Sequence, residues 1–197
     1  MMDESSFRDK MMNVKTHEYW LVVARLEPEN NIDMIVEGYL RSTSRRPILI
    51  VGDFTSKKYS RLVEGMIHNG TNADRIVLLG SIRDQSHLGA LREHCLAYIH
   101  GHSVGGTNPS LLEAMSARNI IIAHDNPFNR EVCAESALYF SNANNLSNAI
   151  KSVEQNEIGI ASMREQAGRR AIDYYDWNRI ISEYDTLLKT CILESDR

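Results

Sequence analysis

Residues 96–115 have the sequence LAYIHGHSVGGTNPSLLEAM, which carries the clearest structural signal in the chain. The apolar run at its start is typical of a buried strand, and Gly105 and Gly106 allow backbone N–H groups to approach a ligand closely. Asn108 is a good helix cap and Pro109 suits the first helical position. A helix is therefore predicted to begin here, with its positive dipole end at the glycine loop. The combination predicts a phosphate site. The alternative is an ordinary tight turn between a strand and a helix.

Short apolar runs rich in β-branched residues recur on both sides of this segment. They are predicted to be buried strands, at 19–24, 47–51, 75–79, 96–100, 120–123 and 137–140. Helical patterns lie between them, each with an apolar face that repeats every three to four residues. This alternation predicts an α/β fold, a Rossmann-like doubly wound parallel sheet of about six strands. Such sheets bind ligands at the carboxyl ends of their strands.

Polar residues collect where the predicted strands end. Arg25 follows the first strand, Asp53 the second, Ser81 the third and His102 the fourth. Because the carboxyl ends of parallel strands share one edge of the sheet, we expect these residues to line a single crevice. His100 and His102 lack a third ligand at a useful spacing, so no metal site is predicted.

The composition limits the function classes. With 197 residues and 43% hydrophobic composition the chain can form one compact domain, and a net charge of −4 without a basic block argues against nucleic-acid binding. Cys95, Cys133 and Cys191 lie in or beside apolar runs without metal-type spacing, as reduced buried thiols do. No apolar run is long enough to span a bilayer, and residues 1–15 lack a signal-peptide core. A cytoplasmic location is expected.

The last part of the chain is predicted to be helical after the sheet is complete. Helices are expected at 160–174 and from Trp177 onward, with Asp176 as the cap of the second. The second helix has a long apolar face that includes Trp177. That face covers either this sheet or a surface absent from the chain, and the pattern alone does not separate the two.

Taken together, these features resemble the C-terminal, donor-binding half of a GT-B fold glycosyltransferase of the family 4 type. The resemblance covers about residues 19–188 and rests on VARL at 23–26, IVGD at 50–53, LLGSI at 78–82 and SLLEAM at 110–115. The sequences of residues 25–31 and 105–109 are similar to those of the rhamnosyltransferase branch of bacterial polysaccharide enzymes.

The resemblance implies roles for individual residues. Glu113 would accept hydrogen bonds from the ribose hydroxyls of a nucleotide-sugar donor, and Arg25 would neutralise its diphosphate, so these two are the expected catalytic residues. No cofactor or metal is implied, and the donor would be a dTDP-, UDP- or GDP-sugar. The implied donor-binding residues are Asn30, Gly52, Asp53, Ser81, Ile82, His102, Ser103, Gly105, Gly106, Thr107, Asn108 and Glu113.

Two positions depart from the family pattern. Members commonly carry a first glutamate eight positions before the second, where this chain has Gly105, and a lysine shortly after the strand-one arginine, where this chain has Asn30 and Asn31. Neutral donors could replace these charges, but their hydrogen bonds are about half as strong. Either the pocket chemistry differs in this branch or the domain binds its donor weakly.

The resemblance also implies a domain organisation. Residues 1–18 would be a polar lead or the remnant of an interdomain linker, 19–174 the nucleotide-sugar-binding Rossmann-like domain, and 175–197 a C-terminal helix that packs towards a missing N-terminal domain. The glycan or lipid-linked acceptor would bind through that missing domain, so the chain alone is expected to be inactive. Self-association through the C-terminal helix is a further expectation, and the full-length enzyme would be cytoplasmic or peripheral to the inner membrane.

The predicted function is therefore the donor-binding half of a retaining glycosyltransferase. It would transfer a hexose or 6-deoxyhexose, such as rhamnose from dTDP-rhamnose, in bacterial surface polysaccharide synthesis. The main alternative is a non-catalytic α/β phosphate- or nucleotide-binding module of receiver or flavodoxin type. Receiver-like domains need acidic residues after strands one and three, where this chain has Arg25 and Ser81. A sugar-nucleotide epimerase of the same architecture ranks lower, because few acid/base carboxylates are available.

Overall fold

A computed structural model describes residues 14–156 and 159–195. Six parallel strands form one sheet in the order β3-β2-β1-β4-β5-β6. The strands are β1 Trp20–Val23, β2 Ile48–Val51, β3 Ile76–Gly80, β4 Ala97–His100, β5 Ile120–His124 and β6 Ala137–Phe140. Each of the six predicted strands is present, with ends that differ by at most a residue or so. The predicted doubly wound parallel sheet is confirmed.

Helices cover both faces of the sheet, as the alternating pattern predicted. They are α1 Ile32–Arg41, α2 Lys57–His68, α3 Gln85–His94, α4 Pro109–Ser116, α5 Pro127–Cys133, α6 Ala143–Glu154, α7 Ile160–Tyr175 and α8 Trp177–Ser195. Short 3-10 turns lie at Pro28–Asn30, Ala73–Arg75 and Ala134–Ser136. The caps predicted at Asn108 and Asp176 each accept a backbone N–H of the first turn, and Asn126 does the same at the start of α5.

Two apolar layers form the core, one on each face of the sheet. Alternate residues of each strand enter opposite layers, so Trp20 and Val22 pack on one face while Leu21 packs on the other. The first layer is closed by α1, α2 and α6, and the second by α3, α4, α5 and α7. Every strand is thus covered on both sides, which is why its sequence is almost continuously apolar.

The segment that precedes β1 is described from Val14 onward. Residues 1–13 of the predicted polar lead lie outside the described residues, whereas Val14 packs against the second apolar layer and the His17 N–H donates to the carbonyl of His94 at 2.7 Å. No helix in the described ranges is long and apolar enough to cross a membrane.

The apolar face of α8 is uncovered in the described structure. Trp177 is 73% exposed, and Ile181, Tyr184, Leu187, Leu188 and Ile192 are also largely exposed. The sequence left open whether this face covers the same sheet, and the structure shows that it does not. The prediction that all three cysteines are buried is wrong for Cys191, which is exposed because it belongs to this uncovered helix, whereas Cys95 and Cys133 are buried.

The two tryptophans provide a test of this arrangement. Trp20 is fully buried and its indole N–H donates to Ser44 Oγ at 3.0 Å, whereas Trp177 is exposed. We expect Trp177→Phe to remove most of the acrylamide-quenchable fluorescence and to leave a blue-shifted emission from Trp20. If quenching in the wild-type chain is already weak and the substitution does not change it, the face of α8 is covered in solution.

Candidate functional site

A cavity of about 620 Å³ lies at the carboxyl edge of the sheet. It is bounded by residues that follow β1, β2, β3 and β4 and by the start of α4, which is where a doubly wound sheet is expected to bind its ligand. Nine of the residues implied by the resemblance line it: Arg25, Asn30, Gly52, Asp53, Ser81, Ile82, His102, Asn108 and Glu113. Arg25 and Glu113 are distant in the sequence but line the same cavity.

Arg25 lies just beyond β1 and is an exposed cation in the lining of the cavity. Its side chain is 75% exposed, and its Nε lies 3.1 Å from Oε1 of Glu27, whose side chain is largely buried. The paired oxygen, Oε1 of Glu27, is buried, so the pair is exposed only on the arginine side. An anionic ligand therefore competes with a buried carboxylate for the guanidinium.

Asn30 lies in the region where the resemblance implies a lysine, and its side-chain amide has hydrogen-bond partners within the protein. It is 6% exposed, its Nδ2 donates to the Arg25 carbonyl at 2.8 Å, and its Oδ1 lies 2.9 Å from Nδ1 of His102. Asn31 similarly donates to the Gly101 carbonyl at 2.8 Å. The two asparagines therefore join the ends of β1 and β4. They supply no second positive charge to the cavity.

Gly52 and Asp53 place a carboxylate between β2 and β3. Oδ1 of Asp53 accepts the Ser81 N–H at 3.0 Å, and hydrogen bonding from Ser81 lowers the pKa of Asp53 below its ordinary value. The carboxylate stays ionised at neutral pH and fixes the loop after β3. It faces a cavity that also contains Arg25, so the two opposite charges share its rim.

The glycine loop lies farther from this cavity than the resemblance implies. Ser103, Gly105 and Gly106 do not line it, and Thr107 lines a neighbouring cavity instead. The reason is that both the N–H and the Oγ of Ser103 donate to the Glu29 carbonyl at 2.9 Å, which anchors the loop base to the turn after β1. The following residues are exposed, and Gly105 adopts a positive φ of 87°.

The start of α4 has fewer free donors than its sequence suggests. The Asn108 side chain accepts the Ser110 N–H at 3.0 Å, and the Asn108 carbonyl accepts the Leu111 N–H at 3.1 Å. Because these N–H groups of the first turn already donate to Asn108, they are not free to bind an anion. A ligand at this terminus would rely on the dipole and on the N–H groups of the preceding loop.

A small hydroxyl network, not identified from the sequence, fixes α4 against β1. Tyr98 OH lies 2.6 Å from Ser110 Oγ, and the two oxygens lie 3.1 and 3.2 Å from the Val23 carbonyl oxygen, so one hydroxyl donates to the carbonyl and the other to its neighbour. Val23 precedes Arg25 by two residues, and Ser110 precedes Glu113 by about one helical turn. The network therefore fixes the spacing between the backbone at the end of β1, near Arg25, and the first turn of α4, near Glu113.

Arg92 and His100 also line the cavity, and sequence reasoning missed the first and set the second aside as structural. Arg92 forms an ion pair with Glu113. The sequence could have indicated that Arg92 is buried, because residue 92 falls on the apolar face of α3 with Leu88 and Leu91. His100 is buried, and burial lowers its pKa to about 3, with smaller contributions from His102 and His124. It is neutral, and its Nε2 has no hydrogen-bond partner among the described residues.

A second cavity, of about 880 Å³, adjoins the first. It lies between α3, α4 and the C-terminal helices, and Arg92, Pro109 and Glu113 belong to the walls of both cavities. Within the described ranges, no group of three or more His, Cys, Asp or Glu side chains is arranged to hold a metal ion.

Comparisons with solved structures identify the architecture. HepE from Anabaena, in complex with UDP, superposes with a TM-score of 0.82 at 16% identity, over 96% of this chain and 54% of that one. Sucrose-phosphate synthase from Thermosynechococcus elongatus gives a TM-score of 0.82 at 18% identity, over 96% and 49% of the two chains. A glycosyltransferase from Rickettsia africae gives 0.78 at 16% identity, over 97% and 53%. The chain spans about half the length of these structures and has the fold of one half of a GT-B enzyme.

Sequence comparison gives the family. A search of curated protein sequences found no match. The family model described as Glycosyl transferases group 1 matches residues 3–173, which is most of the chain. With the six-stranded parallel sheet and the cavity at its carboxyl edge, this match shows that the chain belongs to the group 1 glycosyl transferases.

Proposed function

We propose that this chain is the nucleotide-sugar-binding half of a retaining glycosyltransferase. The observation that carries the proposal is that Arg25 and Glu113 line one cavity at the carboxyl edge of the sheet, next to the start of α4. HepE structures with UDP and with UDP-glucose support a nucleotide sugar as the ligand class. The transferred group would be a hexose or 6-deoxyhexose. Rhamnose from dTDP-rhamnose is the case that the sequence resemblance favours.

In this proposal the charges have separate tasks. Glu113 accepts hydrogen bonds from the pentose, from the neighbouring 2′ and 3′ hydroxyls where the pentose is ribose and from the 3′ hydroxyl alone where the donor is a dTDP-sugar. Arg25 leaves Glu27 and binds the diphosphate, whose negative charge grows as the bond to the anomeric carbon breaks. The neutral His100 lies beneath the same cavity, where it adds hydrogen-bonding capacity without a charge.

The acceptor side of the reaction requires a second surface. We infer that a glycan or lipid-linked acceptor binds on a partner domain that packs against the apolar face of α8, and that the chain alone transfers little or no sugar. Synthesis of a surface polysaccharide from a nucleotide sugar would place the enzyme in the cytoplasm, at or near the inner membrane.

Titration with nucleoside diphosphates tests the proposal. We expect one of UDP, GDP and dTDP to raise the melting temperature, since a ligand at 100 times its Kd adds about 2.7 kcal/mol to the free energy of unfolding. Glu113→Ala should weaken binding by about tenfold, because a hydrogen bond to a charged group contributes roughly 1.5 kcal/mol or more. Glu165→Ala, which removes an exposed carboxylate paired with Arg118, is the matched control and should have no effect.

The same titration separates the alternatives. If none of the three diphosphates shifts the melting temperature at millimolar concentration, the donor-site proposal is wrong. Binding of a flavin or of inorganic phosphate without a nucleoside diphosphate would instead favour a non-catalytic ligand-binding module.

A further inference from the structure

Arg92 is a cation buried in an apolar layer. It is 5% exposed and lies on the face of α3 that also carries Leu88 and Leu91, beneath the two cavities. Transfer of a guanidinium into such a layer is costly unless the charge is paired and hydrogen-bonded. A buried arginine at this place therefore needs a compensating partner.

Glu113 is that partner. Its Oε2 forms an ion pair with Nη2 of Arg92, although the Glu113 side chain itself is 50% exposed. The backbone of Arg92 is also fixed, because Nδ2 of the buried Asn119 donates to the Arg92 carbonyl at 2.7 Å. Burial and the fixed backbone restrict the guanidinium, whose Nε has no hydrogen-bond partner among the described residues, and one oxygen of a half-exposed carboxylate is paired with it.

This attachment matters for recognition. A half-exposed glutamate that has no partner samples several rotamers, and ordering it on ligand binding costs conformational entropy. A carboxylate that is already held in one orientation avoids most of that cost. The ion pair engages Oε2 and leaves Oε1 for hydroxyl groups of a ligand.

We propose that Arg92 is a positioning residue that holds the Glu113 carboxylate in the orientation needed to bind the pentose hydroxyls of the donor, and this inference rests on the proposed function. Arg92 need not touch the ligand. It acts through Glu113, so its contribution exists only for ligands that carry pentose hydroxyls. A merely structural ion pair would have no such selectivity.

The variant Arg92→Met can be expected to fold. Methionine fills the apolar layer with an unbranched side chain of similar length, and exchange of a buried ion-pairing residue for an apolar one is often tolerated. The remaining carboxylate of Glu113 is half-exposed, so the substitution does not leave a buried unpaired charge. Thermal unfolding of the free variant verifies this.

The experiment compares ligands with and without pentose hydroxyls. UDP, GDP and dTDP, and the corresponding 2′,3′-dideoxynucleoside diphosphates, are titrated by calorimetry into the wild-type chain, Arg92→Met and Arg92→Lys. We expect Arg92→Met to lower the affinity for the natural diphosphate by about fivefold, as for the loss of one pre-ordered side chain. The affinity for the dideoxy ligand should change by less than about twofold. Arg92→Lys keeps a charge at this place and should recover part of the loss.

Two further variants complete the test. Arg41→Met makes the same charge change at an exposed pair with Glu37 and should leave both ligands unaffected. Glu113→Ala should abolish the preference for hydroxyl-bearing ligands, and adding Arg92→Met to it should cause no further loss. Equal weakening of natural and dideoxy diphosphates by Arg92→Met, or no weakening of either, overturns the role of Arg92 and leaves the donor site intact. Absence of binding by the wild-type chain overturns the donor site itself.

Discussion

Replacing Gly52 with alanine is expected to destabilise the protein by about 3 kcal/mol, through a clash with backbone and a forbidden conformation. Gly52 has a φ of 142°, and a Cβ added there would lie 1.8 Å from the carbonyl oxygen of Ala24. Neither group can move freely, because the Gly52 N–H donates to the Gly80 carbonyl at 2.9 Å and the Ala24 N–H donates to the Val51 carbonyl at 3.0 Å. The substitution therefore pushes β1 and β2 apart at the edge that carries the cavity.

Thermal denaturation measures this effect. For a chain of this size we expect the melting temperature to fall by roughly 6–12 °C. Gly65→Ala is the matched control, since Gly65 lies within α2 and an added Cβ would meet nothing within 4 Å. Alanine should stabilise that helix by about 0.5–1 kcal/mol. If the two variants have equal melting temperatures, the close approach of β1 and β2 at Gly52 does not exist in solution.

The fold was predictable because it depends on local patterns that agree with one another. The short apolar run at Ile48–Val51, rich in β-branched residues, predicts a strand covered on both faces, and the caps at Asn108 and Asn126 mark the points where helices begin. Once the strands are known to be parallel, their carboxyl ends must share an edge. That is why Arg25 and Glu113 could be placed at one cavity without an observed contact between them.

The parts of the site that were not predicted depend on pairings between distant residues. The sequence shows that Arg92 falls on an apolar helix face, but its partner Glu113 lies on another helix, and nothing local connects the two. Asn30 was predicted to contact the donor, and it lines the cavity. Its amide also joins the Arg25 carbonyl to His102, a pairing that the sequence did not indicate, because a buried amide needs partners and these two strand ends supply them.

The position of the glycine loop could not be predicted from its composition. Its composition predicts close approach to a phosphate, yet Ser103 binds the loop base to Glu29 and directs Gly105 and Gly106 away from the cavity lining. Glycine allows such an approach but does not enforce it. Arg25 is therefore left as the main charge available to a diphosphate, which gives it the largest expected effect on binding.

Arg25→Met is expected to weaken binding of the preferred nucleoside diphosphate by about 2 kcal/mol, or roughly thirtyfold, which is typical for the loss of a charge-assisted hydrogen bond. Arg25 pairs with Glu27 in the described structure, and its side chain is exposed enough to turn towards a ligand. Because its role concerns the phosphates, binding of the matching nucleoside, followed by NMR, should change by less than about twofold. Part of the loss should disappear at high salt, where exposed charges are screened.

Arg45→Met is the control for this variant. Arg45 is exposed at the opposite, amino-terminal end of β2, so its replacement makes the same change in net charge far from the cavity. We expect it to leave diphosphate affinity unaltered. A similar loss in both variants would mean that only the overall charge matters, and equal weakening of nucleoside and diphosphate by Arg25→Met would assign Arg25 to the base or the pentose. Selective loss of the diphosphate in Arg25→Met alone would place the leaving group beside β1, with the pentose held by Glu113 across the cavity.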